Sequence, residues 1–170
     1  MSKKLRGFNW IQAVLSMLVM PLGFILWGLA AAPGIYLLFE VGEATASWEQ
    51  WGRAIAFGAT LGIGALIWCI ADLLMLGILG MIMRPNLEEA RAPTESWLTI
   101  RWAFLSLFHR LALPSLKWMV PSFVGTIYYR MMGCKIGKGA QLNSPHINDC
   151  FMVEIGERTV IGGDAVRNRL

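Results

Sequence analysis

Between Cys134 and Val166 the chain repeats on itself: CKIGKGAQLNSPHINDCFMVEIGERTVIGGDAV. Ile136-Gly137 begins one six-residue unit and Leu142-Asn143 begins the next. Ile155-Gly156 and Ile161-Gly162 begin a second pair, 19 residues further on, which is three sixes plus one inserted residue. A leading aliphatic at period six, followed by a small residue (Ala140, Thr159, Ala165), is the mark of a parallel β-helix. Three such units close one triangular coil. The aliphatic side chain points into the prism and the small residue fits the tight corner.

The rest of the chain is of another kind. Of 170 residues, 56% are hydrophobic and 15% charged, with a mean hydropathy of +0.53. Soluble domains sit near 45–50% apolar and about 25% charged, so the balance points to a bilayer protein. The net charge of +4 comes from Lys and Arg scattered near apolar segments. That suits a membrane surface rather than nucleic acid. Cys69, Cys134 and Cys150 show no CxxC or metal-ligand spacing, and free thiols are the simple reading.

Met1 to Asn9 carries Lys3, Lys4 and Arg6 and no acid, and Trp10 to Phe39 holds no charged residue. About 20 apolar residues cross a bilayer, so this is a first transmembrane helix, too long for a signal-peptide core. Pro21 and Pro33 are tolerated there if neighbours satisfy the freed carbonyls. Glu40 to Arg53 reads as a short polar loop and Ala54 to Met83 as the second span. Gly58-x-x-x-Gly62 offers a small-residue face for close helix packing. Asp72, the one acid within either span, reads as a protonated or hydrogen-bonded interior residue in preference to a proton- or substrate-handling group. Basic residues cluster before the first span and after the second, which predicts cytoplasmic termini and an external loop.

Arg84 to Glu95 is a hydrophilic linker broken by Pro85 and Pro93, and Thr94 or Ser96 can cap the next helix. Ser96 to Leu113 fits an amphipathic helix lying in the interface better than a third span, because Arg101, His109 and Arg110 interrupt it. Pro114, Lys117 and Pro121 demote Ser115 to Tyr129 to a broken, surface-lying or re-entrant helix. The expected architecture is therefore an α-helical membrane protein with two transmembrane helices plus interfacial helices, followed by a short, incomplete parallel β-helix. Residues 1–95 form the hairpin and linker, 96–131 the interfacial helices, and 132–170 the partial coil.

Gly125-Thr126, then Arg130-Met-Met-Gly133-Cys-Lys-Ile136-Gly137, carry a resemblance. This lead-in resembles the entry into left-handed β-helices of the hexapeptide-repeat acyltransferase superfamily. The whole arrangement is similar to the membrane-bound carboxy-terminal region of polylysine-synthase-type non-ribosomal peptide synthetases. The resemblance covers roughly Trp97 to Val166. It implies a left-handed coil and a membrane-anchored acyl- or aminoacyltransferase, forming peptide or isopeptide bonds, in a bacterial inner membrane. Its donor would be acyl-coenzyme A or a carrier-bound thioester, although no residue here speaks for either. Members of that group carry several whole domains of this type, whereas Gln141 to Leu170 supplies about two coils. Either a longer enzyme chain or self-association is then expected to cap the prism.

Such transferases use a His as general base, which takes the proton of the accepting amine or hydroxyl. His146, in Ser144-Pro-His-Ile-Asn-Asp149, is the candidate base, with Asp149 as its orienter. A half-exposed corner residue is the competing reading. His109, beside Arg110, reads as an interfacial residue. Asn143, Asn148 and Asp149 equally suit corner turns whose side chains bond the backbone. Lys135 and Lys138 suit solvated coil edges better than phosphate contacts. No phosphate loop, zinc set or dinucleotide fingerprint occurs. A non-catalytic anchor, oligomerising through its helices and offering the coil as a docking surface, is the alternative to the enzyme.

Overall fold

The computed structural model describes residues 6–84, 93–163 and 165. Lys3 and Lys4, most of the linker and its Pro85, and Asp164 with residues 166–170 lie outside the described residues. Four helices dominate. Helix α1 runs Phe8–Ala44 and α2 runs Gln50–Met83, and both are long and apolar enough to cross a membrane. They form an antiparallel hairpin joined by a short turn, where Thr45 N donates to Val41 O. The loop predicted from Glu40 to Arg53 is shorter than expected: Glu40 and Glu43 extend α1, and Arg53 lies in the first turns of α2 over the Phe57 ring.

The outward faces of the hairpin are apolar. Met17, Phe24, Ile25, Phe39, Ile55, Leu61 and Ile82 are all exposed. A soluble helix buries such residues; one solvated by lipid leaves them outside. Where α1 and α2 meet, they meet through glycine. A Cβ on Gly34 would lie 3.0 Å from the Gly64 backbone. The pair expected to pack, Gly58 and Gly62, instead faces open space. Spacing identifies a small-residue stripe, but the helix rotation decides which glycines meet a neighbour. Here Gly64 lies on the packed face.

Helix α3, Trp97–Met119, packs along the second half of α2. Leu105, Phe108, Ala112 and Leu116 meet Leu73 and Leu76 in one buried cluster. This packing carries α3 straight through Pro114, where an interruption was expected. Proline deprives the carbonyl four residues back of its donor and crowds the preceding turn. Nearby, the Trp27 indole donates to Leu111 O at 3.1 Å and ties α1 to α3 one residue past the carbonyl of Arg110 that Pro114 leaves without its helical donor. The chain breaks later, at Val120-Pro121, a cis peptide. Ser122 then caps α4, Phe123–Met131, by accepting from Val124 N and Gly125 N. Helix α4 presses on the end of α2 where two glycines make room: a Cβ on Gly77 would meet Met131, and one on Gly80 would meet Met132.

Gly133, at φ 102°, turns the chain out of α4 into four short strands. These are β1 (Lys135–Ile136), β2 (Gln141–Leu142), β3 (Glu154–Ile155) and β4 (Val160–Ile161). Strand β1 pairs parallel with β3 and β2 with β4, in the registers Ile136–Ile155 and Leu142–Ile161. The spacing read from the sequence is thus the register of the backbone ladder. Leu142, Ile155 and Ile161 point inward while Lys135, Gln141 and Glu154 point out. Gly137 sits where the layers touch; a Cβ there would lie 2.5 Å from Glu157 N. Gly139 (φ 74°) and Arg158 (φ 55°) occupy equivalent left-handed turn positions one layer apart. The strands stand at the open end of the hairpin, where α1 begins and α2 ends, joined to it through α4 and α3.

Candidate functional site

The connection from β2 to β3, residues 143–153, leaves the ladder and folds back toward α3. Its shape is fixed at three points. Ser144 is buried; its hydroxyl donates to Ala165 O at 2.6 Å and accepts from His146 N at 3.2 Å. Tyr129, from α4, donates its hydroxyl to Ser144 O at 3.2 Å. Asp149, in the left-handed region at φ 51°, leads into a 3-10 turn, Cys150–Met152. Asn and Asp tolerate that conformation better than most residues, which is the turn role the sequence allowed.

Between this connection and α3 lies a cleft of about 430 Å³. The connection contributes His146, Asn148 and Asp149, and α3 contributes Trp102, His109 and Arg110. The two residues expected to act together therefore do share one cavity. Asp149 Oδ1 accepts a 2.8 Å hydrogen bond from the Trp102 indole, so this carboxylate oxygen ties the loop to α3. His146 is half-buried on the cleft wall, its backbone N–H bound by Ser144.

His109 departs furthest from expectation. The sequence places it at an interface, yet it is only 4% exposed. The periodicity of α3 alone carries no sign that Tyr128 and Tyr129 of α4 cover that face. The His109 ring stacks on Tyr128 at 22° and lies 6.1 Å from the Tyr129 centroid. Nδ1 lies 3.4 Å from the Tyr128 hydroxyl, while Nε2 is buried with no hydrogen-bond partner. Burial, with a smaller effect from nearby His146, pushes the His109 pKa down to about 4, so the ring is neutral at physiological pH. Burial likewise pushes the Tyr128, Tyr129 and Cys150 groups up, and they stay neutral too. An uncharged imidazole with an unused nitrogen can accept a proton or hydrogen-bond a polar ligand atom.

Below the cleft, Ser115 of α3 donates to Asp72 Oδ2 at 2.5 Å, and Asp72 is fully buried. Its Oδ1 has no hydrogen-bond partner. This is the hydrogen-bonded interior acid that the sequence favoured. The three cysteines are buried and none is in a disulfide. Among the described residues no group of His, Cys, Asp and Glu has the makings of a metal site. Lys135 is exposed, paired with Glu154 across the β1–β3 rung at 3.4 Å, and Lys138 is exposed as well.

Sequence reasoning missed Trp102, His109 and Arg110 as site residues. The signal was faint: a His-Arg pair and a Trp on one side of a helix otherwise read as interfacial. Comparison of the chain with protein-family models, with curated proteins and with solved structures returns no match.

Proposed function

We propose that this chain is the membrane-anchored part of an acyl- or aminoacyltransferase whose reaction takes place in the cleft between α3 and residues 143–153. The observation that carries the reading is the meeting of two imidazoles, an arginine and a carboxylate in one cavity beside stacked parallel rungs. The rungs support, by resemblance, a left-handed hexapeptide β-helix. The exposed apolar faces of α1 and α2 support a bilayer as their surroundings. The basic residues support termini and coil on the cytoplasmic side of a bacterial inner membrane.

In this reading His146 is the base. An amine nitrogen attacks the carbonyl carbon of a thioester; the C–N bond forms as the C–S bond breaks. His146 takes the proton from nitrogen and returns it to the departing sulfur. Asp149, held by Trp102 in the same cleft, is the carboxylate that faces the reaction alongside His146. The test is transfer from acyl-coenzyme A and carrier thioesters to amine acceptors by purified protein in nanodiscs. His146→Ala should cost about 10²–10⁴-fold. Equal rates in the two proteins would remove His146 from the mechanism.

A second reading, a non-catalytic anchor that oligomerises and offers the coil for docking, is favoured by one observation. Gly58 and Gly62 present an unfilled small-residue face on α2. Gly62→Leu should then reduce the particle to a single chain in mild detergent, as read by native mass spectrometry.

A further inference from the structure

A second cavity lies on the other side of Trp102. It is a groove of about 190 Å³ between the first turns of α1 and the first half of α3. Phe8, Leu15 and Val19 form one wall; Ile100, Phe104 and Leu107 form the other. Ser16 also lines it, but its hydroxyl is spent on Gln12 O at 2.7 Å. Trp102 is common to the groove and the cleft. Its indole N–H is held by Asp149 on the cleft side. The two cavities therefore adjoin at one side chain, one almost wholly apolar and the other rich in imidazole and amide groups.

The position of the groove matters as much as its walls. Trp10 and Trp97, both exposed, stand at the same end of the hairpin as Trp102. Exposed tryptophans of this kind mark the level where hydrocarbon gives way to headgroups. From Phe8 to Val19, at about 1.5 Å per residue, the wall descends roughly 16 Å from that level. That is about half the ~30 Å hydrocarbon thickness. The groove faces α1 and the cleft faces residues 143–153; the two overlap along α3 between Trp102 and Leu107 and share Trp102 as a common wall. In the cleft, an unpartnered nitrogen waits at a buried side chain, His109 Nε2.

We infer that cleft and groove form one site for a single-chain amphiphile: its alkyl chain lies between α1 and α3, and its amine or hydroxyl end passes Trp102 to reach His109 and His146. Because the polar end emerges beside His146, the base of the proposed reaction, the amphiphile is the acceptor. That assignment of role rests on the transferase reading; the binding does not. Lipid already surrounds the chain, so the groove gains little from removing it from water. It gains by positioning: it holds the reacting end at a fixed height beside the base.

The test uses the full chain in phosphatidylcholine nanodiscs and a dodecylamine carrying a terminal diazirine. After illumination, labelled peptides are mapped by mass spectrometry. Label concentrated in Phe8–Val19 and Thr99–Leu107 is expected. Ala103→Trp, which fills the groove, should lower that label about tenfold. Ser16→Trp, from the opposite wall, should do the same if the first variant folds poorly. Leu61→Trp, on the exposed side of α2, should leave it unchanged. Label spread over all lipid-facing turns, or unaffected by Ala103→Trp and Ser16→Trp, overturns the inference. So does label absent from both walls, as a second copy seated there would cause. Label confined to the groove with no transfer from any donor would sink the transferase reading and keep the amphiphile site. Transfer with dispersed label would do the reverse.

Discussion

The hairpin and the four-stranded tail differ most in what they leave exposed. In α1 and α2 many large aliphatic and aromatic residues face outward, while Leu26, Leu73 and Leu76 share the packed or partly packed side with Asp72, Thr60, Gly64 and Gly77. In the tail, Leu142, Ile147, Ile155 and Ile161 are inside, and Lys135, Gln141, Glu154 and Arg158 are outside. In the proposed bilayer, both regions obey one rule with different solvents. Lipid is as apolar as a leucine core, so burying leucine gains nothing between helices, and close backbone approach decides. Water makes the same burial worth roughly 25 cal/mol per Å². The difference teaches where each region is fragile: the tail should fail by losing volume or gaining overlap, the hairpin by losing a polar partner.

The largest effect should come from crowding the tail. Gly137→Val would drive a side chain into the Glu157 backbone and should cost about 4 kcal/mol, read as early proteolysis within 134–163 while α1 and α2 stay intact. If the hairpin melts in the same transition, the two regions are one cooperative unit. Next comes acid. His109 binds its proton less readily in the native state, about 4, than when unfolded, near 6.5. Stability should therefore fall as pH drops from about 6.5 toward 4, by about 3 kcal/mol in total, and level off below. Thermal melting of wild type against His109→Gln checks this; the variant's curve should be flatter over that window.

The hairpin's own weakness is tested by Ser115→Ala, which leaves the buried Asp72 carboxyl without its donor and should cost about 1–3 kcal/mol. Adding Asp72→Leu should recover much of the loss, since an apolar residue of similar volume needs no partner. Melting of single and double variants in nanodiscs measures the coupling. Failure of the double variant to recover would mean the pair matters for more than satisfaction of a buried group. The smallest effect should be Lys135→Ala. Its pair with Glu154 is well exposed and should be worth under about 1 kcal/mol, shrinking further with salt. A larger loss would show the rung to be less wet than its exposure suggests.

The ladder was legible because it depends on one translation along the chain: residues 19 apart lie side by side, and both members of each pair are visible in the sequence. The two long apolar helices were legible for a similar reason, since lipid demands unbroken hydrocarbon over a known length. What stayed hidden depended on rotation and on distant neighbours. Nothing local says that Gly64, and not Gly58 or Gly62, meets α1. Pro114 carries a strong breaking signal, yet α3 runs through it where Ala112 and Leu116 pack against α2. His146 and Asp149 could be placed near each other, being three residues apart. Their counterparts Trp102 and His109 come from a helix some forty residues earlier and meet them only through tertiary packing. Reading α3 alone misassigned His109, because the tyrosines that cover it belong to α4.

The excursion between β2 and β3 leaves one rung and rejoins the next at fixed registers, so its length and chemistry are free to vary while both anchor points hold. Loop closure entropy grows slowly with length, each doubling adding only about 0.6 kcal/mol. The fold thereby separates what must be kept from what can be rewritten. New specificities can be drafted in residues 143–153, or grafted there by an engineer, without renegotiating the paired strands or the helical hairpin beneath them.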